Sequence, residues 1–226
     1  MFYDLEVNMA YIDSEMTKNA LRKMRGFHQG AVDLYKVYGM DLLDNLGRRN
    51  IVMSQTQEKF FAQELAKRYS GVFEDGRTGQ PDIVIEELDK EIECKLTSRH
   101  KSGAISLQSD FETLQKKGAL DYLYVIADQQ FEEFAVFLFE GLTVDDFRPL
   151  SNGARGKVAM YKHRAMKKCR PLLGSFENIN NRNLEKLQKK LLSPNLPPYK
   201  KRQLDKSVEY WTSTPPKFSV HLEKVV

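Results

Sequence analysis

The stretch QPDIVIEELDKEIECKL, Gln80 to Leu96, sets two acids and a lysine into segments that otherwise read as buried strand. Its apolar runs, Ile83–Ile85 and Ile92–Leu96, flank the acidic turn EELDK. Strand side chains alternate between faces. Ile92, Cys94 and Leu96 are therefore expected in the core, with Glu91, Glu93 and Lys95 on the other face. Asp82 follows Pro81 at the start of the first run. Paired as a hairpin, the two runs bring Asp82 towards Glu93 and Lys95 at one end of a sheet. Two carboxylates beside an ammonium suit a hard divalent cation. Mg²⁺ takes oxygen ligands, keeps several waters and needs only one or two protein carboxylates plus a substrate phosphate. The cation offsets the repulsion between the acids, and the lysine can hold or polarise an attacking water. Glu91 is either an outer acid of such a site or a solvated residue at the turn.

The elements that must position these groups follow from periodicity. Ser14 to about Leu46 reads as helix in two or three pieces punctuated by Gly26, Gly30 and Gly39, with Met16, Ala20, Leu21 and Met24 at helical spacing. It would serve as a dimer surface, a DNA-contacting arm or core support. SQTQEKFFAQELAKRYSGV predicts a second helix capped by Ser54 or Thr56 and ended by Gly71. After the hairpin, SLQSDFETLQKKG predicts a helix stopped by Gly118. DYLYVIAD and FAVFLFEG read as buried strands, and TVDDF as a capping box at a short helix start. Beyond Ser151 the pattern loosens into the basic loop SNGARGK, the amphipathic helix NRNLEKLQKKLL, a break at SPNLPP and a terminal strand in KFSVHLEKV. The order helix, strand, strand, helix, strand, strand fits the α/β or α+β class, and the expectation taken is α/β: a central mixed β-sheet flanked by helices, with a helical N-terminal and a basic C-terminal extension.

In this setting the motif resembles that of the PD-(D/E)xK nuclease superfamily: Pro81-Asp82, ten intervening residues, then Glu93-Cys94-Lys95. The resemblance covers about Thr56 to Leu142. It includes Glu58 on the preceding helix, in QEKFFAQELAKRYSG, and Gln108 or Gln115 on the following one. It implies a restriction-endonuclease-like core and a Mg²⁺-dependent hydrolysis of phosphodiesters that leaves 5′-phosphate ends. In that reading Asp82, Glu93 and the Cys94 backbone carbonyl hold the metal, Lys95 orients the water, and Glu58 contacts a second metal or its waters. The Cys94 thiol itself is core filler.

Three functions fit. The first is a type II restriction endonuclease, cutting double-stranded DNA site-specifically as a homodimer. The second is a structure-specific repair or recombination nuclease with the same site. The third is a DNA-binding domain without catalysis. The first draws on about fifty residues before the core (1–50) and about seventy-five after it (151–226), around a core of 51–150 in a single domain. From Phe147 to Phe176 there is no acid, while eight lysines and arginines fall there, and Lys200, Lys201, Arg202 and Lys206 cluster later. Such local excess suits a polyanion. Asn152, Arg155, Lys157, Lys162 and Arg164 are candidate DNA contacts, as are Arg99, His100 and Lys101 in the loop after the motif strand. Arginine and asparagine read base edges, and lysines neutralise phosphates. The asparagines of NINNRN serve turns equally well, and Tyr161, Tyr199, Tyr210 and Trp211 either stack on bases or pack.

Other classes are disfavoured. The four histidines, His28, His100, His163 and His221, have no metal-ligand or HNH-like spacing, and no P-loop is present, so no nucleotide cofactor is implied. Two cysteines without zinc spacing fit a reducing compartment. No apolar run has membrane-spanning length, and the start MFYDLEVNMAYIDSEM lacks a basic n-region. These features lead to the expectation of a cytoplasmic protein. With 226 residues, 41% of them hydrophobic and 29% charged, the chain is long enough for one sizeable core.

Overall fold

The computed structural model describes residues 10–75, 77, 79–99, 105–149, 156–194, 196–214 and 217–225. Helix α1 (Ser14–Val37) is capped by Asp13, whose side chain accepts from the Met16 amide at 2.8 Å. It is one helix, not two or three. Met16, Ala20, Leu21, Met24 and His28 bury one stripe, while a Cβ at Gly26 or Gly30 would meet nothing within 4 Å. Packing along the stripe outweighs the glycine penalty of about 1 kcal/mol each. Gly39, at φ +68°, is where the chain turns away.

Helix α2 (Leu46–Leu65) begins eight residues before Ser54, capped by Asn45 through the Arg48 amide at 3.0 Å. Ser54 lies inside the helix and donates to the Ile51 carbonyl. The expected cap at Ser54 or Thr56 is thus corrected to Asn45, the residue directly before the helix. Strands β1 (Val72–Glu74), β2 (Ile83–Ile85) and β3 (Lys90–Ser98) follow. Next come β4 (Gln108–Asp110) and α3 (Phe111–Lys117), so the expected helix from Ser106 starts late, at the Asp110 cap. Strands β5 (Leu120–Ala127) and β6 (Glu133–Leu142) are fully or nearly fully buried, as their apolar runs required. After the turn at Val144–Asp146, where Asp146 accepts from the Thr143 amide at 3.0 Å, come β7 (Lys157–Ala159), α4 (Lys162–Ala165), β8 (Cys169–Leu173) and β9 (Ser175–Asn178). Helices α5 (Ile179–Leu191) and α6 (Pro198–Ser213) and strands β10 (Phe218–His221) and β11 (Glu223–Lys224) complete the chain.

Among the described residues seven strands form one mixed sheet in the order β1-β2-β3-β5-β6, with β11 and β8 following one another along the far edge of β6. Among the described residues only β3 and β5 pair in parallel, from Ile92 opposite Asp121 to Ser98 opposite Ala127. Helix α3 lies in the crossover between them, which a parallel pair needs. Helices α1 and α2 cover one face through Leu21, Met24, Met53, Phe61 and Leu65 against Ile92, Cys94, Leu123 and Val125. The other face carries Tyr122, Tyr124, Phe137 and Phe139 beneath Leu107, Leu114, Phe147 and Val158. The architecture is the expected α/β class. The segment after residue 151 also completes the sheet, since β8 and β11 both pair with β6. Among the described residues no helix is long and apolar enough to cross a membrane.

Candidate active site

The site exists because β2 is short. Pairing β2 with β3 puts Ile83 opposite Ile92 and Ile85 opposite Lys90, and then β2 stops. Strand β3 runs six residues further, and among the described residues no strand pairs with that edge. One step beyond the register, Asp82 stands opposite Glu93. It turns its carboxylate into the vacated edge, where Oδ2 accepts from the Cys94 amide at 2.7 Å. In a strand, the N–H and C=O of one residue point to the same edge, so the Cys94 carbonyl faces the same opening as Asp82.

Glu93 and Lys95 project onto the tyrosine face of the sheet, level with Tyr122 and Tyr124 in the parallel register. The Lys95 ammonium pairs with Glu93 Oε1. Glu93 is 8% exposed, and its Oε2 is buried with no hydrogen-bond partner. A buried carboxylate oxygen left without a donor is costly. Glu58, on α2, feels the charges of Asp82, Lys95 and Glu93 across the sheet edge. Gln57, the residue before it, donates to the Leu123 carbonyl at 2.8 Å and is buried, which fixes the helix on the sheet.

The electrostatics follow from setting one buried acid, Glu93, and two half-buried ones, Asp82 and Glu58, around one cation. Burial, and then the Glu93 charge, push the Asp82 carboxyl up to about 6. Burial, and then Asp82, push Glu58 up to about 7, with Lys95 opposing. Burial draws the Lys95 ammonium down, but the paired Glu93 and nearby Asp82 outweigh it, and the net shift is upward. Lys95 is therefore a fixed cation, not a base. Burial drives the Cys94 thiol well above its ordinary range, and it packs among the core residues under α2. This is the environment of an inert thiol.

Among the described residues, no three His, Cys, Asp or Glu side chains are grouped so as to hold a metal ion by themselves. The candidate donors of this edge, on Asp82, on Glu93 through its unpartnered Oε2 and on the Cys94 backbone carbonyl, are all oxygens. That set fits a Mg²⁺ ion completed by waters and a phosphate, and does not fit a soft or fully protein-caged metal.

The other predicted residues divide. Gln108 and Lys157 line a cleft of about 210 Å³ together with Lys95, Ser106 and Ser109. The cleft is held open by β4, tied to β5 by hydrogen bonds from the Tyr124 hydroxyl to the Gln108 carbonyl at 2.8 Å and between Tyr122 and Ser109 at 2.5 Å. Strand β7 pairs with β4, which brings in Lys157. Gln115 is exposed on α3. Glu91 pairs with Lys117 at 2.7 Å. Lys162 donates to the Ile105 carbonyl at 2.9 Å, and Arg164 to the Asp145 carbonyl at 3.1 Å while lying over the Tyr161 ring. Arg99 reaches the Val220 carbonyl on β10 at 3.4 Å. His100, Lys101, Asn152 and Arg155 lie outside the described residues.

One residue behind the site went unread in the sequence. Arg49 is fully buried on α2 and donates to the Asp128 and Gln129 carbonyls, to Asn50 and to Ser98 at the end of β3. It locks the far end of the motif strand to the β5–β6 turn. An arginine amid GRRN has no feature that separates it from its exposed neighbour Arg48. No protein-family model matches the chain, and no curated protein proves similar to it.

Proposed function

We propose that the protein is a Mg²⁺-dependent endodeoxyribonuclease that cuts double-stranded DNA at specific sites, in the manner of a type II restriction endonuclease. The observation that carries this reading is the meeting of Asp82, Glu93 and Lys95 at the unpaired edge of β3, with one Glu93 oxygen buried and without a donor. Asp82, Glu93 Oε2 and the Cys94 carbonyl would hold Mg²⁺. Bound there, the ion supplies positive charge to a phosphoryl oxygen and acidifies a water.

The chain's own groups do the rest. Lys95, kept protonated by Glu93, orients the attacking water and stabilises the charge that grows on the phosphoryl oxygens. Glu58, with its carboxyl near neutrality, suits the uptake of that water's proton. Gln108 and Lys157, on the wall opposite Lys95, offer donors to the phosphate. Attack by water breaks the bond from phosphorus to the 3′ oxygen, leaving a 5′-phosphate and a 3′-hydroxyl. Two such sites in a homodimer would cut both strands of a palindrome.

The test is incubation of long duplex DNA with the protein, with and without Mg²⁺, followed by sequencing of fragment ends. Discrete fragments that need Mg²⁺ and vanish with Lys95→Ala are expected. Cleavage confined to branched or ended DNA would move the reading to a repair nuclease. Metal-independent binding without any cutting would overturn catalysis.

A further inference from the structure

Helices α5 and α6 form a hairpin inserted between β9 and β10, which pair antiparallel from Phe218 opposite Asn178 to His221 opposite Ser175. The hairpin is held at its root. Asn180 is buried, donates to the Thr214 carbonyl at 2.9 Å and accepts from the Lys217 amide at 3.1 Å. Phe176 of the stem stacks on Phe137 of the main sheet, with centroids 3.8 Å apart. Through Arg99 and the Val220 carbonyl, the stem also touches the segment that directly follows β3. The hairpin therefore has a set orientation relative to the site and is not a loose tail.

Its charge is out of proportion to the chain. The two helices hold eight lysines and arginines against three acids, a net of +5, while all 226 residues together carry +4. The remainder of the molecule is slightly acidic. On α5 the cations are ordered. Leu184, Leu187 and Leu191 form one half-buried stripe, against α6. Arg182, Lys186, Lys189 and Lys190 stand at i, i+4, i+7 and i+8, which places them on the opposite side of the helix. All four are exposed. Arg182 pairs with Glu177 at 3.0 Å, and the three lysines make no ion pair among the described residues. On α6 the half-buried Leu204, Val208 and Trp211 face inward in the same way. The apolar stripes of both helices are used between them, so among the described residues the outer side of α5 offers a membrane cations and no apolar stripe.

We propose that the outer face of α5 is a DNA-backbone grip: Lys186, Lys189 and Lys190 neutralise phosphates of a duplex without reading its sequence and hold it while the Asp82–Glu93–Lys95 site acts. This proposal rests on the nuclease reading for its choice of duplex DNA, although the grip needs neither metal nor catalysis. A stripe from Arg182 to Lys190 is about 12 Å long, enough to follow several phosphates of one strand.

The experiment is a titration of a labelled duplex by fluorescence anisotropy, without Mg²⁺, over a range of salt. The parent is compared with Lys186→Gln/Lys189→Gln/Lys190→Gln and with the same three positions changed to arginine. Each phosphate contact contributes about −0.9 to the slope of log affinity against log salt. The glutamine variant should flatten the slope by about 2.7, and between about 50 and 200 mM salt the parent should lose about 40-fold more affinity than it does. The arginine variant should keep the parent slope. An unchanged slope in the glutamine variant overturns the grip, even if the parent cuts DNA. A flattened slope in a protein that never cuts supports the grip and removes the nuclease reading. Loss of binding to anionic lipid vesicles, with DNA binding intact, would overturn the proposal in favour of a membrane surface.

Discussion

Asp82→Asn should make the metal-free protein more stable while removing its proposed activity. The asparagine oxygen keeps the acceptor that the Cys94 amide uses at 2.7 Å, so the backbone contact survives. What disappears is a half-buried carboxylate beside Glu93. Burial and that neighbour raise the Asp82 carboxyl from 3.8 to about 6. A carboxyl raised on folding adds stability that is complete below its unfolded value and is lost as pH rises through the folded one. Two units correspond to about 3 kcal/mol at neutral pH. That shift is already net of the attraction to Lys95, and partial solvent screening reduces it to about 2 kcal/mol. For a chain of this size that is about 4–8 °C in melting temperature. The assay is thermal unfolding of both proteins in chelator at pH 5 and pH 7.5. The parent should be the less stable at pH 7.5 and should gain on acidification, and the variant should change less. Adding Mg²⁺ at pH 7.5 should stabilise the parent alone. A variant less stable than the parent at pH 7.5, or equal stabilisation of both by Mg²⁺, would refute the argument that two half-buried acids lack a cation.

Three further outcomes follow from the same geometry. At sub-saturating Mg²⁺, cleavage should fall as pH drops through about 7 and 6, as Glu58 and Asp82 take up protons, and Glu58→Gln should make that fall less steep; a pH–rate profile of both proteins reads this. Cys94→Ala should still cut DNA, because only the backbone carbonyl of that residue faces the site, and should lose about 1–2 kcal/mol of stability from the packing of the thiol; abolished cutting in a folded variant would make the thiol a participant. Arg49→Ala should cost about 3–5 kcal/mol by leaving the Asp128 and Gln129 carbonyls and Ser98 without their donor, measured by denaturant unfolding, whereas loss under about 1 kcal/mol would mean that Arg49 does not lock β3.

Strand arithmetic made the centre of the site readable in advance. The two-residue alternation put Glu93 and Lys95 on one face, and a hairpin through EELDK put Asp82 opposite Glu93. The buried strands β5 and β6 were visible because their apolar runs are too short for buried helices. Local signals misled where packing overrode them. Gly26 and Gly30 look like breaks but sit on the open side of α1, and Ser54 looks like a cap but lies within α2. Helix α6 was missed because Leu204, Val208 and Trp211 are spread thinly through a charged segment and become a stripe only against α5. Strands β4 and β7, which form the wall opposite Lys95, are three residues each, and their pairing depends on contacts distant in sequence. Arg49 shows the same limit, since nothing adjacent to it announces its burial.

The claim on which the account stands is that Asp82, Glu93 and the Cys94 carbonyl together bind a divalent cation. Diffraction from a Mn²⁺-soaked crystal tests it most directly. An anomalous peak between Asp82, the unpartnered Glu93 oxygen and the Cys94 carbonyl is the predicted result. A fully occupied Mn²⁺ elsewhere on the molecule, with these oxygens left without a cation, would contradict it.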